Sequence, residues 1–398
     1  MKNIAITSLL LIGMNSYGQW TTLQSGTLNE LGAVLVDDAQ TYWVGGEFGT
    51  LLKTTDGGGS WSTQTLAQAG DIEAIVRLNE NTLLFAADDG QIGRSVDNGA
   101  NWTLIATGAP NVLYDITFNG NEVWASGRDG GLVYSADGGE TWTLQNSGST
   151  ERLHGIHAID ALNVIVVGRG GTYLRTTDGG DSWTETSLAG GEDLVDVIFL
   201  TDAAQTGLIA GPPAEILRSN DLGMNWNTIE YGSALEVGAF ASEDPSLVYA
   251  IGDNGLILRS LDQGSTWEEM DSEAFSELGG LDVKDGVAVA AGANGTIIKY
   301  DPAGGPQAID VMSTNADLRI YPNPSKGPVN IELSDLEITR EGSTLEVRLM
   351  DGRLVDRTMW PVGKKKAFIE QLAPGNYVVR LVHADGTSIQ RSLVVLGN

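Results

Sequence analysis

The chain has 398 residues, and its 52 Asp and Glu against 23 Lys and Arg give a formal net charge of −29. So acidic a surface repels phosphate backbones and anionic lipid headgroups, which excludes nucleic acid as a partner and argues against a membrane-surface role. Cysteine is absent, which leaves neither disulfides nor thiolate metal sites, while 52 glycines suit a chain of many tight turns.

Residues 1–18 read as a secretory signal. Lys2 opens it, Ile4 to Ile12 form a short apolar run, and Ser16-Tyr17-Gly18 place small residues at a cleavage position. The run is too short to cross a bilayer and no later segment qualifies, so no helical membrane span is expected. Directly after it, Gln19 to Thr27 reads QWTTLQSGT, and Thr141 to Ser149 reads TWTLQNSGS. The second copy closes a motif, SADGGETW. The first has no front half.

That motif is a Ser or Thr with Asp two residues on, Gly four on and Trp seven on. It occurs at Thr54-Asp56-Gly58-Trp61, Ser95-Asp97-Gly99-Trp102 and Ser135-Asp137-Gly139-Trp142, then at Thr176-Asp178-Gly180-Trp183, Ser219-Asp221-Gly223-Trp226 and Ser260-Asp262-Gly264-Trp267. Successive aspartates lie 41, 40, 41, 43 and 41 residues apart, a period that belongs to repeat architectures. Each unit also holds short alternating runs bounded by Gly, Asp and Asn, such as LYDITF at Leu113 to Phe118. These runs predict about four antiparallel strands per repeat, the blade of a β-propeller.

Within the motif the Asp carboxylate can accept turn N–H groups, the Gly tolerates positive φ, and the Trp buries a large ring. The pattern resembles the Asp box, or bacterial neuraminidase repeat. In that family the box lies on the rim, away from the ligand face. Asp56, Asp97, Asp137, Asp178, Asp221, Asp262 and the six tryptophans are therefore expected to be structural.

A seventh unit begins at Leu278 and reaches GANGTIIKY at Gly292 to Tyr300, where Asp301-Pro302 breaks the pattern. Trp20 stands 41 residues before Trp61, in phase with every later box Trp. The missing strand is thus expected from Gln19–Thr27, closing a seven-bladed all-β ring over 19–301. A sealed ring leaves no sheet edge for a second copy, and a monomer is expected.

Residues 302–317 read as a linker. From Leu318 onward there are 11 Lys and Arg and 9 Asp and Glu, against 12 and 43 before it. Alternating runs and the pairs Asp351-Gly352 and Asp385-Gly386 predict a small β-sandwich of about seven strands over 318–398. Tyr321-Pro322-Asn323-Pro324, the stretch Leu372 to Tyr377 with Gly375 and Tyr377, and the ending Leu393-Val394-Val395 resemble the type A sorting domain of type IX secretion. This resemblance implies a Bacteroidota-like source, passage through the periplasm and outer membrane, and handling by the type IX machinery and its sortase. It also implies a product released or attached to lipopolysaccharide.

The recurring line G-x-x-G-x-[IL]-x-[RK]-[ST]-x-D-x-G-x-x-W resembles the propeller of photosystem II stability/assembly factors, which are binders rather than enzymes. The resemblance implies a non-catalytic module without a cofactor, taking an extracellular protein or glycan. The ligand face should comprise the loops into each innermost strand (Glu30, Asp71, Arg152, Asp193, Glu277) and the middle turns (Glu47, Asp89, Arg128, Asp129, Arg169, Asp253). Candidate ligand-binding residues are Arg128, Arg152, Arg169, Glu47, Asp129 and Asp253. The three arginines either hold a carboxylate or are balanced by Glu47, Asp129 and their neighbours. Six of the eleven basic residues between Gln19 and Asp317 also share one repeat phase: Lys53, Arg94, Arg175, Arg218, Arg259 and Lys299. Their stems are expected to pack along the blades.

The enzyme alternative is glycoside hydrolysis, since Asp-box rings include sialidases. The Arg-Ile-Pro start of a sialidase is absent, and neighbouring acids such as Asp88-Asp89 point apart on a strand. His154 and His157, three apart, are expected to face opposite ways, so no metal site is expected.

Overall fold

Each repeat folds as one four-stranded antiparallel sheet whose strands lie side by side in chain order. The computed structural model describes residues 20–201, 205–270, 272, 274, 276–300, 318–321, 329–333, 344–349, 354–359, 366–369, 372–382 and 388–395. The signal at 1–18, the linker, and Pro322, Asn323 and Pro324 lie outside the described residues.

Blades 1 to 7 are named by their innermost strands: Leu31–Val36, Ile72–Arg77, Leu113–Asn119, Leu153–Ala158, Asp196–Phe199, Val237–Asp244 and Leu278–Lys284. The second strand of each is sandwiched between neighbouring blades. It therefore reads as an unbroken apolar run, buried along its whole length in Leu83–Ala87 and Val164–Gly168. The outermost strands, such as Ser62–Thr65, are polar and mostly exposed.

Blade 7 takes its outermost strand from the other end of the propeller sequence. Trp20–Gln24 pairs antiparallel with Thr296–Tyr300, with Trp20 opposite Tyr300 and Gln24 opposite Thr296. The ring is therefore closed by hydrogen bonds within one sheet, and it has seven blades.

Seven tryptophans occupy the seven blade interfaces. Trp61 packs in the core shared by blades 7 and 1, Trp102 in that of blades 1 and 2, and Trp142 in that of blades 2 and 3. Trp183, Trp226 and Trp267 repeat this for the next three interfaces. Trp20, fully buried, fills the last, against Tyr249 and Ile251 of blade 6 and Ile298 and Tyr300 of blade 7.

The Asp box is a closed hydrogen-bond unit. In the first copy the Thr54 hydroxyl donates to Asp56 at 2.7 Å and accepts the Gly58 N–H at 3.0 Å. Asp56 then accepts the Ser60 N–H at 2.9 Å and the Ser60 hydroxyl at 2.6 Å. The same set recurs with Asn101, Thr141, Ser182, Asn225 and Thr266 in the place of Ser60. The residue before the Trp is thus a further member of the box. These bonds favour the ionised carboxylate, and Asp56, Asp178 and Asp221 are each held down at about 2, the Ser60, Ser182 and Asn225 side chains contributing most.

The basic repeat phase is spent on this scaffold. Arg94, Arg175 and Arg218 donate to the carbonyls of Gly138, Leu222 and Gln263, each in the box turn of the next blade, at 3.1, 2.7 and 2.8 Å. Lys53 lies over the Trp43 ring at 4.3 Å, and Arg259 pairs with Glu268. Arg94, Arg175 and Arg218 thus tie neighbouring blades together at the box end, while Lys53 and Arg259 are held within their own blades.

The sorting-domain region forms a three-stranded sheet (Leu318–Tyr321, Val329–Leu333, Lys366–Ile369) and a four-stranded one (Leu354–Met359, Thr344–Leu349, Gly375–Val382, Ser388–Val395). Val329, Ile331 and Ile369 of the first share a core with Leu345, Val379 and Leu393 of the second. Tyr321 ends the first strand. The Tyr377 hydroxyl donates to the Ala373 carbonyl at 2.7 Å, beside Gly375.

Candidate functional site at the channel mouth

An innermost strand has no strand partner on its channel side, so its N–H groups there need other acceptors. Side chains of the preceding blade supply them. Asp115 accepts the N–H of Ile156 at 2.8 Å and of Ile116 at 2.7 Å. Asp196 does the same for Phe240 and Val197, and Asp282 for Val36 and Val283. Thr117 accepts from Ala158 at 3.1 Å. Burial pushes these carboxyls up, Asp115 to about 7 with Asp196 adding to it, and Asp196 and Asp282 to about 6. They face a channel cavity of about 570 Å³ but are occupied with blade-to-blade bonds.

Six innermost strands carry a β-bulge one residue after their first buried position. The bulged residues are Gly32, Glu73, Tyr114, His154, Gly238 and Gly279, and all line the channel. Blades 6, 7 and 1 thus leave the mouth bare, while blades 2 to 4 wall it with Glu73, Tyr114 and His154. The His154 ring stacks on Tyr114, centroids 5.3 Å apart. Burial and then the Arg152 charge lower the His154 pKa, and burial lowers that of His157 to about 4. Sequence parity placed these histidines on opposite faces. The bulge at Leu153/Gly155 sets His154 on the channel wall against Tyr114 of blade 3, whereas the His157 ring lies by Phe199 of blade 5, centroids 5.9 Å apart, so the two rings pack against different blades. Among the described residues no group of three or more His, Asp and Glu is disposed to hold a metal.

Glu73 and Tyr114 were not singled out from the sequence, and His154 was weighed there only as a metal ligand. The signal is there once the strands are aligned on Leu31, Ile72, Leu113, Leu153, Leu194, Val237 and Leu278: the next residue is the variable one. Glu73 is pushed up to about 7 by burial, with Asp88, Asp71 and Glu30 adding to it.

The candidate binding residues divide around the rim. Arg128 stands in the middle turn of blade 3, and Arg152 and Arg169 in the two mouth loops of blade 4, all three exposed. Arg128 lies 3.9 Å from Asp129, which also accepts from Asn111 at 2.7 Å. Arg152 and Arg169 make no ion pair with a described residue. Glu47 is on blade 1, accepting the Glu30 N–H at 3.0 Å, and Asp253 is on blade 6. The structure places the arginines with Asp129 on adjoining blades and sets Glu47 and Asp253 on other arcs of the rim.

Seven four-stranded sheets around a channel, six of them closed by Asp boxes, define a seven-bladed Asp-box β-propeller. Residues 149–296 match the family model described as photosynthesis system II assembly factor YCF48, residues 133–144 the BNR/Asp-box repeat, and residues 319–395 the secretion system C-terminal sorting domain. The chain therefore combines a YCF48-like propeller with a secretion-sorting domain.

Among solved structures, "YCF48 bound to D1 peptide" superposes with a TM-score of 0.60 at 19% identity, covering 71% of this chain and 97% of that one. "YCF48 from Cyanidioschyzon merolae" gives 0.58 at 18%, covering 72% and 99%, and the WD40 propeller of Doa1 gives 0.58 at 12%, covering 72% and 96%. At these identities the likeness is one of fold. No curated protein matches the chain significantly. Among the described residues no helix is long and apolar enough to cross a membrane.

Proposed function

We propose that this protein is a monomeric, non-catalytic binding module that is exported through the type IX pathway and works at or beyond the cell surface. The sorting domain marks the chain for secretion or surface display. Passage through the periplasm, removal of residues 318–398 by a sortase and the Bacteroidota source belong to the proposal. So does the division into a propeller over 19–301, a linker over 302–317 and a cleavable address over 318–398.

The observation that carries the binding reading is the exposure of Arg152 and Arg169, which make no ion pair with a described residue, on a rim that is mostly acidic. Guanidinium forks left open in this way favour a carboxylate. The structural relative named above is a complex with a peptide, which supports a peptide or protein ligand. Binding of an acidic, carboxylate-ended peptide to the full chain should weaken at least tenfold when Arg128, Arg152 and Arg169 are all replaced by Ala, with melting unchanged. Equal binding by the variant would refute the site.

One observation favours the hydrolytic alternative. Glu73 has the raised pKa of a general acid at the mouth. Turnover of aryl glycosides that disappears in Glu73→Gln would establish it.

A further inference from the structure

In six of the seven blades the middle turn puts two consecutive residues in the left-handed region, the second always Gly and the first the variable place. Asp89, Asp129, Gly170, Asn254 and Asn294 fill that place in five blades, residue types that tolerate it. Blade 1 puts Phe48 there, at φ 57° and ψ 32°. A bulky aromatic residue is strained in this conformation, and nothing in the fold offsets the strain by burying the ring: Phe48 is 65% exposed. Its backbone N–H donates to Asp71 at 2.9 Å, which fixes the turn against blade 2.

Leu28, 84% exposed, rises from the neighbouring loop of the same blade. The two loops are stitched together. The Asn29 amide donates to the Thr50 hydroxyl at 2.8 Å and to the Glu47 carbonyl at 3.5 Å, and the Glu30 N–H donates to the Glu47 carboxylate. The other large exposed apolar side chains of the propeller stand elsewhere. Val96, Met224 and Leu261 belong to box turns, Leu162 abuts one, and Leu144 is on an outermost strand.

The surroundings of Phe48 and Leu28 carry one sign of charge. Glu30 feels Glu277, Glu47 and Asp71, so carboxylates from the mouth loops of blades 7, 1 and 2 surround it. The mouth loops of blades 5, 6, 7, 1 and 2 contain no Lys or Arg. Exposed apolar side chains on two linked loops, set beside acidic neighbours, complement one kind of segment and repel the acidic ligand assigned above to blades 3 and 4.

We infer that blade 1 presents Phe48 and Leu28 as a second docking surface, for a protein segment in which an apolar side chain is flanked by lysines or arginines. The ring sits on the segment's apolar residue while the acidic neighbours take its cations. The arginine notch and this surface lie on different arcs of one rim, so each can fail alone.

The test uses the full chain with four labelled peptides: a Lys-Leu-Lys-Leu-Lys core, the same core with Leu replaced by Ser, the same core with Lys replaced by Glu, and the carboxylate-ended acidic peptide used for the arginines. The first peptide should bind at least tenfold tighter than the second and third. Phe48→Asn should erase the difference between Leu and Ser peptides, preserve the preference for Lys over Glu, and leave the melting temperature equal or higher. Binding of the acidic peptide should be unaffected by Phe48→Asn, which separates this surface from the notch. A Leu-to-Ser ratio unchanged by the substitution, a lowered melting temperature, or no binding of the first peptide would overturn the inference.

Discussion

Trp20 meets Tyr249 edge to face, ring centroids 6.0 Å apart and planes at 90°, so the first described residue of the chain is locked against blade 6. The same indole lies 5.7 Å from the Tyr300 ring of blade 7. One side chain therefore serves both the sheet that closes the ring and the interface beside it.

Trp20→Ala should cost on the order of 3–5 kcal/mol, the range for emptying a core site of this size. Calorimetric melting would show it as a drop of several degrees. A transition within one degree of the wild type would mean that the ring closes without this strand.

Gly99 sits in a box turn at φ +78°, and a Cβ there would lie 2.1 Å from the Trp43 ring. Gly99→Ala combines a disfavoured backbone with a clash against a buried ring, and should destabilise by roughly 1–3 kcal/mol. Gly108, at φ +91° with open space around it, isolates the backbone part. Gly108→Ala should cost clearly less, and equal losses in chemical denaturation would disprove the clash.

The channel carboxyls predict an unusual pH response. Asp115 rises from 3.8 to about 7 on folding, so the folded state prefers its protonated form. Its favourable contribution is complete below about pH 4 and is lost as pH rises through about 7. Asp196 and Asp282 act in the same direction up to about pH 6. His157, lowered to about 4, opposes them as pH falls from 6.5. The depressed box aspartates lose their contribution only as pH falls from the unfolded carboxylate value toward about 2. Comparing Asp115→Asn with the wild type isolates the first effect: between pH 5 and 8 the wild type should lose melting temperature relative to the variant. Parallel curves would show that Asp115 titrates normally.

Removing residues 318–398 should leave the propeller inside the cell envelope. Surface labelling and fractionation of the native host would read this out. Undiminished display of the shortened chain would remove the address role from the tail.

The periodic features of this protein were legible in one dimension. Six boxes at a fixed period define the blades, because each box is a local unit whose hydrogen bonds span four residues. The in-phase position of Trp20 was enough to expect the closing strand, since a propeller interface must be filled at every blade. The tail's fold class was equally readable from alternation, while the turn pairs Asp351-Gly352 and Asp385-Gly386 lie outside the described residues. The seventh residue of the box, Ser60 and its counterparts, was visible but unremarked, because Ser, Asn and Thr look different in sequence and identical as donors to Asp Oδ2.

The channel was decided elsewhere. The place of Glu73, Tyr114 and His154 on its wall depends on bulges that shift side-chain parity, and a bulge is a property of strand pairing, not of a strand's own residues. The raised carboxyls of Asp115, Asp196 and Asp282 depend on being enclosed by seven sheets and on N–H groups from the next blade. The strain at Phe48 is invisible in the letters EFG, and only the turn's backbone shows that an aromatic ring has been set where neighbouring blades use Asp, Asn or Gly. Local bonding wrote the repeat into the sequence, whereas burial and pairing between distant strands created the surfaces that can bind.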